Sequence, residues 1–243
     1  MKRIVTLGGS FNPIHNGHLR VVLEVGEALQ ADRLDFVPSF CPPHKQQSGM
    51  LPFKLRVEAL RRALSGKKDV YINLFEAELE KSSYSIYTLQ DYTAREPDTE
   101  LFFILGIYDF AQLDKWYRWD ELITYANLAV VARQGGDAGE FMNISRRLWP
   151  GCTFERPGNT EQMYCFIPRP ATAGLGGRDT ACICFLPVPR LDISSSLLRQ
   201  KWLAGQSLDF LTPEAVINLL NEHREEVKNS WQSFKNNCQS MEI

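Results

Sequence analysis

Two segments of this chain consist only of apolar residues, and they limit the folds that it can adopt. Leu101–Leu105 and Leu128–Ala132 have no polar position on either face. Such strands are typical of the interior of a parallel sheet with helices on both sides. Elsewhere apolar residues recur at helical spacing, as in Leu19–Leu29. We therefore expect an α/β fold with a doubly wound parallel sheet.

The same patterns predict the order of the elements and the domains. Strands are expected at Ile4–Leu7, Leu34–Val37, Val70–Leu74, Leu101–Leu105, Leu128–Ala132 and Ile183–Val188. Helices are expected at Leu19–Leu29, Phe53–Leu64, Ile86–Arg95, Trp119–Tyr125, Glu140–Trp149, Ser195–Ala204 and Pro213–Lys228. We predict a Rossmann-like domain over 1–190, with an extended loop near 157–180, and a C-terminal helical subdomain over 191–243 whose last fifteen residues are frayed.

Composition excludes several classes of protein. The 243 residues carry 27 Lys and Arg against 29 Asp and Glu, a net charge of −2, whereas nucleic-acid-binding proteins are normally basic. No apolar run approaches the roughly 18 residues that span a bilayer, and Met1–Leu7 has the pattern of a strand rather than a secretory signal. We expect no nucleic-acid or membrane partner. Six cysteines without a C-x-x-C pair indicate reduced thiols in a cytoplasmic protein.

The histidines are concentrated in one place. Three of four lie between positions 15 and 44, and two belong to Gly8–Leu19, which reads GGSFNPIHNGHL. This segment joins the first strand to the first helix, at the carboxyl end of a parallel strand, where open α/β sheets bind ligands. Free N–H groups and the helix dipole attract anions there. His15 and His18 therefore predict a cradle for a polyphosphate, whereas core histidines or a zinc site of His15, His18 and His44 are the alternatives.

This segment resembles the signature of the nucleotidylyltransferase superfamily, whose hallmark is H-x-G-H. Further segments extend the resemblance to the bacterial nicotinate-nucleotide adenylyltransferases, in order from residue 3 to about 223. They are Pro42–Lys45 (P-x-H-K), Ser83–Leu89 (S-Y-T), Gly106–Trp116 (G-x-D…W), Ile193–Arg199 (I-S-S-T-x-I-R) and Leu211–Pro213. The resemblance implies transfer of AMP from ATP to nicotinate mononucleotide, which yields deamido-NAD and pyrophosphate in NAD biosynthesis.

The resemblance also implies an ATP site. The implied catalytic residues are His15, His18, Lys45 and Arg199. The implied ATP-binding residues are Gly8, Gly9, Ser10, Phe11, His15, His18, Gly106, Ile193, Ser194, Ser195, Ser196 and Arg199. The planar guanidinium of Arg199 suits the β- and γ-phosphates. We expect no protein metal ligands, because Mg²⁺ would be bridged by the ATP phosphates themselves.

The implied acceptor site departs from the family pattern. Its residues are Asn12, His44, Lys45, Ser85, Tyr108, Trp116 and Tyr117. Tyr108 stands where the family has the Asp of G-x-D, and Asp109 follows one place later. Tyr87 and Asn12 also replace family Asp residues. These changes leave the adenylate half intact and bear on the acceptor.

Other functions remain open at this point. A transferase of the same superfamily would use another acceptor, such as nicotinamide mononucleotide or phosphopantetheine. A non-catalytic module would bind ATP without releasing pyrophosphate, and a metal-dependent hydrolase would use the histidine cluster. The expected partners are ATP and a pyridine mononucleotide, for a monomer or a homo-oligomer.

Overall fold

The computed structural model describes residues 1–42, 49–79, 82–132, 137–158, 161–168, 180–189 and 191–239. The strands are β1 (Lys2–Gly9), β2 (Arg33–Pro38), β3 (Val70–Ile72), β4 (Thr99–Gly106), β5 (Asn127–Ala132), β6 (Thr153–Glu155), β7 (Met163–Pro168) and β8 (Thr180–Pro187). The helices are α1 (Asn16–Ala28), α2 (Phe53–Leu64), α3 (Phe75–Glu78), α4 (Ser85–Arg95), α5 (Ile107–Ala111), α6 (Leu122–Tyr125), α7 (Ala138–Leu148), α8 (Ser195–Leu203), α9 (Glu214–Glu222) and α10 (Arg224–Gln239).

The strands form one sheet in the order β3-β2-β1-β4-β5-β8-β7-β6. The pairs β1–β4, β4–β5 and β5–β8 are parallel, whereas β8–β7 and β7–β6 are antiparallel. Ile4 lies opposite Leu101, and Phe103 lies opposite Leu128. Leu101–Leu105 is buried throughout, as a strand covered on both faces must be. The predicted α/β fold with a mostly parallel sheet is confirmed.

The strand order places a switch point next to β1. After β1 the chain builds β2 on one side and later returns with β4 on the other side. In open α/β sheets the carboxyl ends of strands at such a point border the ligand crevice. Gly9 and Gly106 end these two strands, so the glycine-rich segment seen in the sequence lies at this end of the sheet.

The chain divides into two compact units. The first comprises Met1–Gly8, Val21–Phe36 and Tyr84–Asp192, and the second comprises Gly9–Arg20, Val37–Ser83 and Ile193–Ile243. The first unit ends at Asp192. However, two segments from the N-terminal third belong to the second unit, because their side chains and carbonyl groups are bonded to the C-terminal residues.

Each unit has its own core. In the first, Phe141 packs on Phe110 and Phe185, with ring centroids 5.6 and 5.5 Å apart. In the second, Leu60 of α2 and Val216 and Leu219 of α9 are fully buried, and at the surface Arg62 of α2 forms two hydrogen bonds with Glu222 of α9, at 2.9 and 2.8 Å. The rings of Trp202 and Trp231 meet edge to face at 5.3 Å, which joins α8 to α10.

Three sequence predictions were wrong in detail. The loop near 157–180 contains strand β7, whose alternate residues Met163, Cys165 and Ile167 are buried, while 159–160 and 169–179 lie outside the described residues. The helix expected at Pro213–Lys228 is two helices that meet at His223. Of the last fifteen residues, 229–239 are helical rather than frayed, with Trp231 buried, while 240–243 lie outside the described residues.

A buried polar group lies in the first unit. The hydroxyl of Tyr92 donates to Asp35 Oδ2 at 2.7 Å, and Arg33 donates to the same oxygen at 2.8 Å. Asp35 is 1% exposed, and this burial raises the pKa of its carboxyl, against the two hydrogen bonds that lower it.

We predict that Tyr92→Phe lowers the free energy of unfolding by about 1.5–3 kcal/mol at neutral pH, because a hydrogen bond to a buried charge is lost. The bond favours ionised Asp35, so the loss shrinks as pH falls through the Asp35 pKa. Urea denaturation at several pH values measures it. Tyr108→Phe, at a position that is 55% exposed, is the control. A loss that is the same at every pH would contradict the prediction.

Candidate active site

The segment between β1 and α1 is a tight loop. A Cβ atom on Gly9 would lie 3.2 Å from the ring of Phe11, and Phe11 has a positive φ of 43°. This conformation is uncommon for an aromatic residue, and it places the ring over Gly9. A side chain at position 9 would therefore have to displace the Phe11 ring by a few tenths of an ångström.

The two histidines of this loop stack on each other. The rings of His15 and His18 are 3.6 Å apart with an interplanar angle of 25°. The backbone N–H of His18 donates to the carbonyl of His15 at 2.9 Å, which forms the first turn of α1. A Cβ atom on Gly17 would lie 3.1 Å from the His15 ring. The H-x-G-H spacing thus sets two imidazoles side by side at a helix N-terminus, with glycine leaving room for them.

Three consecutive carbonyl groups of the loop accept hydrogen bonds from the C-terminal segment. Arg199 Nη1 donates to the carbonyl of Asn12 at 2.9 Å. The hydroxyl of Ser195 donates to the carbonyl of Pro13, and that of Thr212 to the carbonyl of Ile14, both at 2.8 Å. The I-S-S-S-L-L-R and L-T-P motifs seen in the sequence therefore hold the histidine loop in place.

The start of α8 is built as the sequence predicted. Ser194 is the N-cap, and its side chain accepts from the N–H of Leu197 at 3.2 Å. Arg199 Nη2 donates to Ser196 Oγ at 3.0 Å. The carbonyl of Ile193 would lie 3.5 Å from a Cβ atom on Gly17, so this segment runs beside the H-x-G-H turn. Partial burial lowers the pKa of Arg199.

The side chain of Asn12 is enclosed by protein groups. Its Nδ2 donates to the carbonyl of Gly49 at 2.8 Å, and its Oδ1 accepts from the N–H of Leu51 at 3.0 Å. Oδ1 also accepts from Trp231 Nε1 at 3.3 Å. Asn12 is 5% exposed, and its side chain holds the loop through these three hydrogen bonds.

Arg56 of α2 is a second such residue, and our sequence analysis missed it. Its Nη1 donates to the carbonyls of Ser10 and Ser39, at 2.8 and 2.9 Å, and its Nε donates to the carbonyl of Leu51 at 3.0 Å. Burial lowers its pKa to about 10, against the opposing charge of Glu76. Because Arg56 lies on the otherwise apolar face of an amphipathic helix, its position was the one available signal.

The predicted acceptor residues of the first unit lie on α4 (Ser85), on α5 (Tyr108) and after the 3-10 turn Leu113–Lys115 (Trp116 and Tyr117). Gly106, which was predicted to bind ATP, is the N-cap that precedes α5, and Tyr108 and Asp109 are exposed in the first turn of that helix. Ser85 is the first residue of α4. The ring of Trp116 meets Phe103 edge to face at 6.5 Å. The side chains of Tyr108 and Asp109 are therefore both accessible to solvent.

Tyr117 belongs to a cluster of three tyrosines. Its ring centroid is 4.6 Å from that of Tyr84 and 6.1 Å from that of Tyr87. A hydrogen bond with Tyr117 is the largest cause of the raised pKa of Tyr87. Tyr87, at a position where the family pattern has Asp, thus belongs to this aromatic cluster. The Tyr117 residue of the cluster is 46% exposed.

Two predicted residues, His44 and Lys45, lie outside the described residues, so the zinc alternative with His44 is not tested. Within the described ranges, no group of three or more His, Cys, Asp or Glu side chains is placed to hold a metal ion. No helix of the described part of the chain has both the length and the apolar character needed to cross a bilayer.

Comparison with known proteins gives one consistent family. The model of the cytidylyltransferase-like family matches residues 6–201. A protein of Geobacter sulfurreducens named probable nicotinate-nucleotide adenylyltransferase is 32% identical over 218 residues, which cover 90% of this chain and 95% of the relative. One of the same name from Citrifermentans bemidjiense is 33% identical over 222 residues, covering 91% and 97%.

Solved structures show the same fold. Nicotinic acid mononucleotide adenylyltransferase of Plasmodium falciparum, complexed with NaAD, has a TM-score of 0.66 at 14% identity. The match covers 93% of this chain and 98% of the other. At this identity the likeness supports the arrangement of the elements, in agreement with the sheet described above.

We predict that Asn12→Asp lowers the free energy of unfolding by about 1–3 kcal/mol, because a carboxylate cannot donate to the carbonyl of Gly49. The loss grows as pH rises and the new carboxyl ionises. Asn16→Asp is the matched control, since Asn16 Nδ2 also donates to a carbonyl, that of Phe210, but at an exposed site. Equal losses for the two variants in chemical denaturation would contradict the prediction.

Proposed function

Since the chain belongs to the cytidylyltransferase-like family, and within it to the nicotinate-nucleotide adenylyltransferases, we propose that the loop of His15 and His18 is its ATP-phosphate site. The chain is an adenylyltransferase of NAD biosynthesis that transfers AMP from ATP to nicotinate mononucleotide. The observation that carries the site assignment is the stacked histidine pair at the N-terminus of α1. Its loop is bonded to the helix that carries Arg199.

The reaction needs positioning and charge stabilisation. A phosphate oxygen of nicotinate mononucleotide attacks the α-phosphorus of ATP. The bond from that phosphorus to the bridging oxygen breaks, and pyrophosphate leaves with its electron pair. Negative charge accumulates on the α-phosphate and on the leaving group, so preorganised donors lower the barrier. We assign that role to His15, His18 and Arg199.

The remaining residues of the predicted ATP site lie on three elements. Gly8 and Gly9 end β1, with Ser10 and Phe11 next in the chain, Gly106 ends β4, and Ile193–Ser196 lead into α8. We propose that their backbone groups approach ATP. The described side chains here are imidazole, hydroxyl and guanidinium groups, which suit phosphate oxygens. Mg²⁺ is therefore proposed to arrive as part of the ATP substrate, held by the phosphates.

For the acceptor we propose Ser85, Tyr108, Trp116 and Tyr117, together with His44 and Lys45. Asn12 is removed from this set, because its side chain is buried and holds the loop. The cytoplasmic location and the oligomeric state stay predictions.

The assay that tests this function measures pyrophosphate release from ATP with three acceptors in turn. These are nicotinate mononucleotide, nicotinamide mononucleotide and phosphopantetheine. We expect release with a pyridine mononucleotide and the highest kcat/KM with nicotinate mononucleotide. Release with phosphopantetheine alone would overturn the acceptor. Tight ATP binding with no release for any acceptor would make the chain a nucleotide-binding module.

His18→Ala is expected to reduce kcat by at least about 100-fold, the usual cost of removing one donor that stabilises transition-state charge. The variant should stay folded, because His18 is only half-buried. His223→Ala is the matched control, since His223 lies between α9 and α10 and faces Glu226 at 3.4 Å. Initial rates with saturating substrates measure the effect. A folded His18→Ala enzyme with normal kcat would refute the phosphate cradle.

Tyr108→Asp is expected to lower the KM for nicotinate mononucleotide and leave that for ATP unchanged. A carboxylate accepts hydrogen bonds from two ribose hydroxyls, whereas a phenol offers one oxygen on a longer arm. The gain should correspond to one hydrogen bond to a charged group, about 1.5–3 kcal/mol. Tyr108→Asn is the control, because asparagine has nearly the shape of aspartate without its charge. A smaller fall in KM for Tyr108→Asn than for Tyr108→Asp would show that the charge contributes. A higher acceptor KM in Tyr108→Asp would mean that the tyrosine belongs to a differently built pocket.

A further inference from the structure

Trp231 is a buried indole that the motifs do not account for. It lies on α10, beyond residue 201, where the family-model match ends. It is 2% exposed, and Val227, one turn earlier, is fully buried. Over 224–232, where the side chains of α10 are described, these two are the buried ones and the rest are polar. Within 224–232, Val227 and Trp231 therefore anchor the helix.

The polar atom of this indole points at the histidine loop. Nε1 donates to Asn12 Oδ1 at 3.3 Å. An indole N–H that is buried needs an acceptor, and the acceptor here is the side chain that fixes the loop.

Asn12 connects Trp231 to the proposed phosphate site. Its backbone carbonyl accepts from Arg199 at 2.9 Å, while its side chain bridges to Gly49 and Leu51. A shift of Asn12 therefore moves the partner of Arg199. His15 follows three residues later in the same tight loop.

Trp231 also contacts the helix that carries Arg199. Its ring meets that of Trp202 edge to face at 5.3 Å, and Trp202 lies three residues after Arg199 on α8. The guanidinium of Arg224, at the start of α10, lies 5.4 Å from the centroid of the same Trp202 ring. α10 thus contacts Asn12, whose carbonyl accepts the hydrogen bond from Arg199, and it also contacts α8, the helix that carries Arg199.

We propose that Trp231 is a positioning residue of the ATP-phosphate site, acting through its indole N–H on Asn12 and its ring on Trp202. It does not contact substrate. It keeps the loop and Arg199 in register before ATP binds, which lowers the cost of ordering them. This inference rests on the proposed function, because it names a residue that supports the same site.

The test is Trp231→Phe, which keeps an aromatic ring and removes the N–H. We expect the KM for ATP to rise about two- to tenfold, the effect of one hydrogen bond between neutral groups, with the KM for nicotinate mononucleotide unchanged. Trp149→Phe is the matched control, since Trp149 packs against Phe110 and Trp119 of the first unit and should change neither KM. An unchanged KM for ATP in folded Trp231→Phe would overturn the proposal, even if its melting temperature fell.

A second measurement needs no variant. Coupling between ATP and α10 must be reciprocal, so ATP binding has to stabilise the helix. We expect α,β-methylene ATP to slow amide hydrogen exchange at 227–231, and nicotinate mononucleotide alone to leave it unchanged. No slowing with the analogue, or equal slowing with both compounds, would contradict the proposal. Absence of adenylyl transfer in the wild type would refute the function instead, so the two failures are distinguishable.

Discussion

Three consecutive buried carbonyl groups, those of Asn12, Pro13 and Ile14, impose the main constraint on this molecule. Buried carbonyls need donors, and a loop this tight cannot supply them to itself. The donors come from side chains of Arg199, Ser195 and Thr212, nearly two hundred residues later in the chain. The histidine loop therefore keeps its shape only when the C-terminal helices are in place.

This constraint explains why the second compact unit is assembled from three separate segments. Gly9–Arg20 supplies the loop, Val37–Ser83 supplies Arg56, and Ile193–Ile243 supplies the remaining donors. It also brings the guanidinium groups of Arg56 and Arg199 to the loop that we propose to bind the ATP phosphates. The chain as a whole carries a net charge of −2, yet imidazole and guanidinium groups surround this loop. A rigid set of donors suits a reaction whose catalysis depends on holding phosphate groups in line.

The sequence was sufficient for the parts that have a local cause. The apolar run at Leu101–Leu105 and the helical spacing at Phe53–Leu64 predicted their elements correctly, and the serines at 194–196 predicted an N-cap. Strand β7 was missed because the Gly- and Pro-rich residues around it hid its alternation. Arg56 and Trp231 were missed because their partners are carbonyl and amide groups, at separations from 5 residues for Leu51 to 219 for Asn12, that leave no pattern in the sequence. The enclosure of Asn12 could not be predicted either, because spacing alone does not show which groups surround a side chain.

The central claim is that this loop promotes direct transfer of the adenylyl group, with no bond between AMP and the protein. Exchange of radiolabelled pyrophosphate into ATP tests it. Direct transfer requires the acceptor, because ATP is re-formed only from deamido-NAD and pyrophosphate. We predict that label enters ATP when nicotinate mononucleotide is present and that none enters with ATP and pyrophosphate alone. Rapid exchange without the acceptor would show an adenylylated protein and contradict the account.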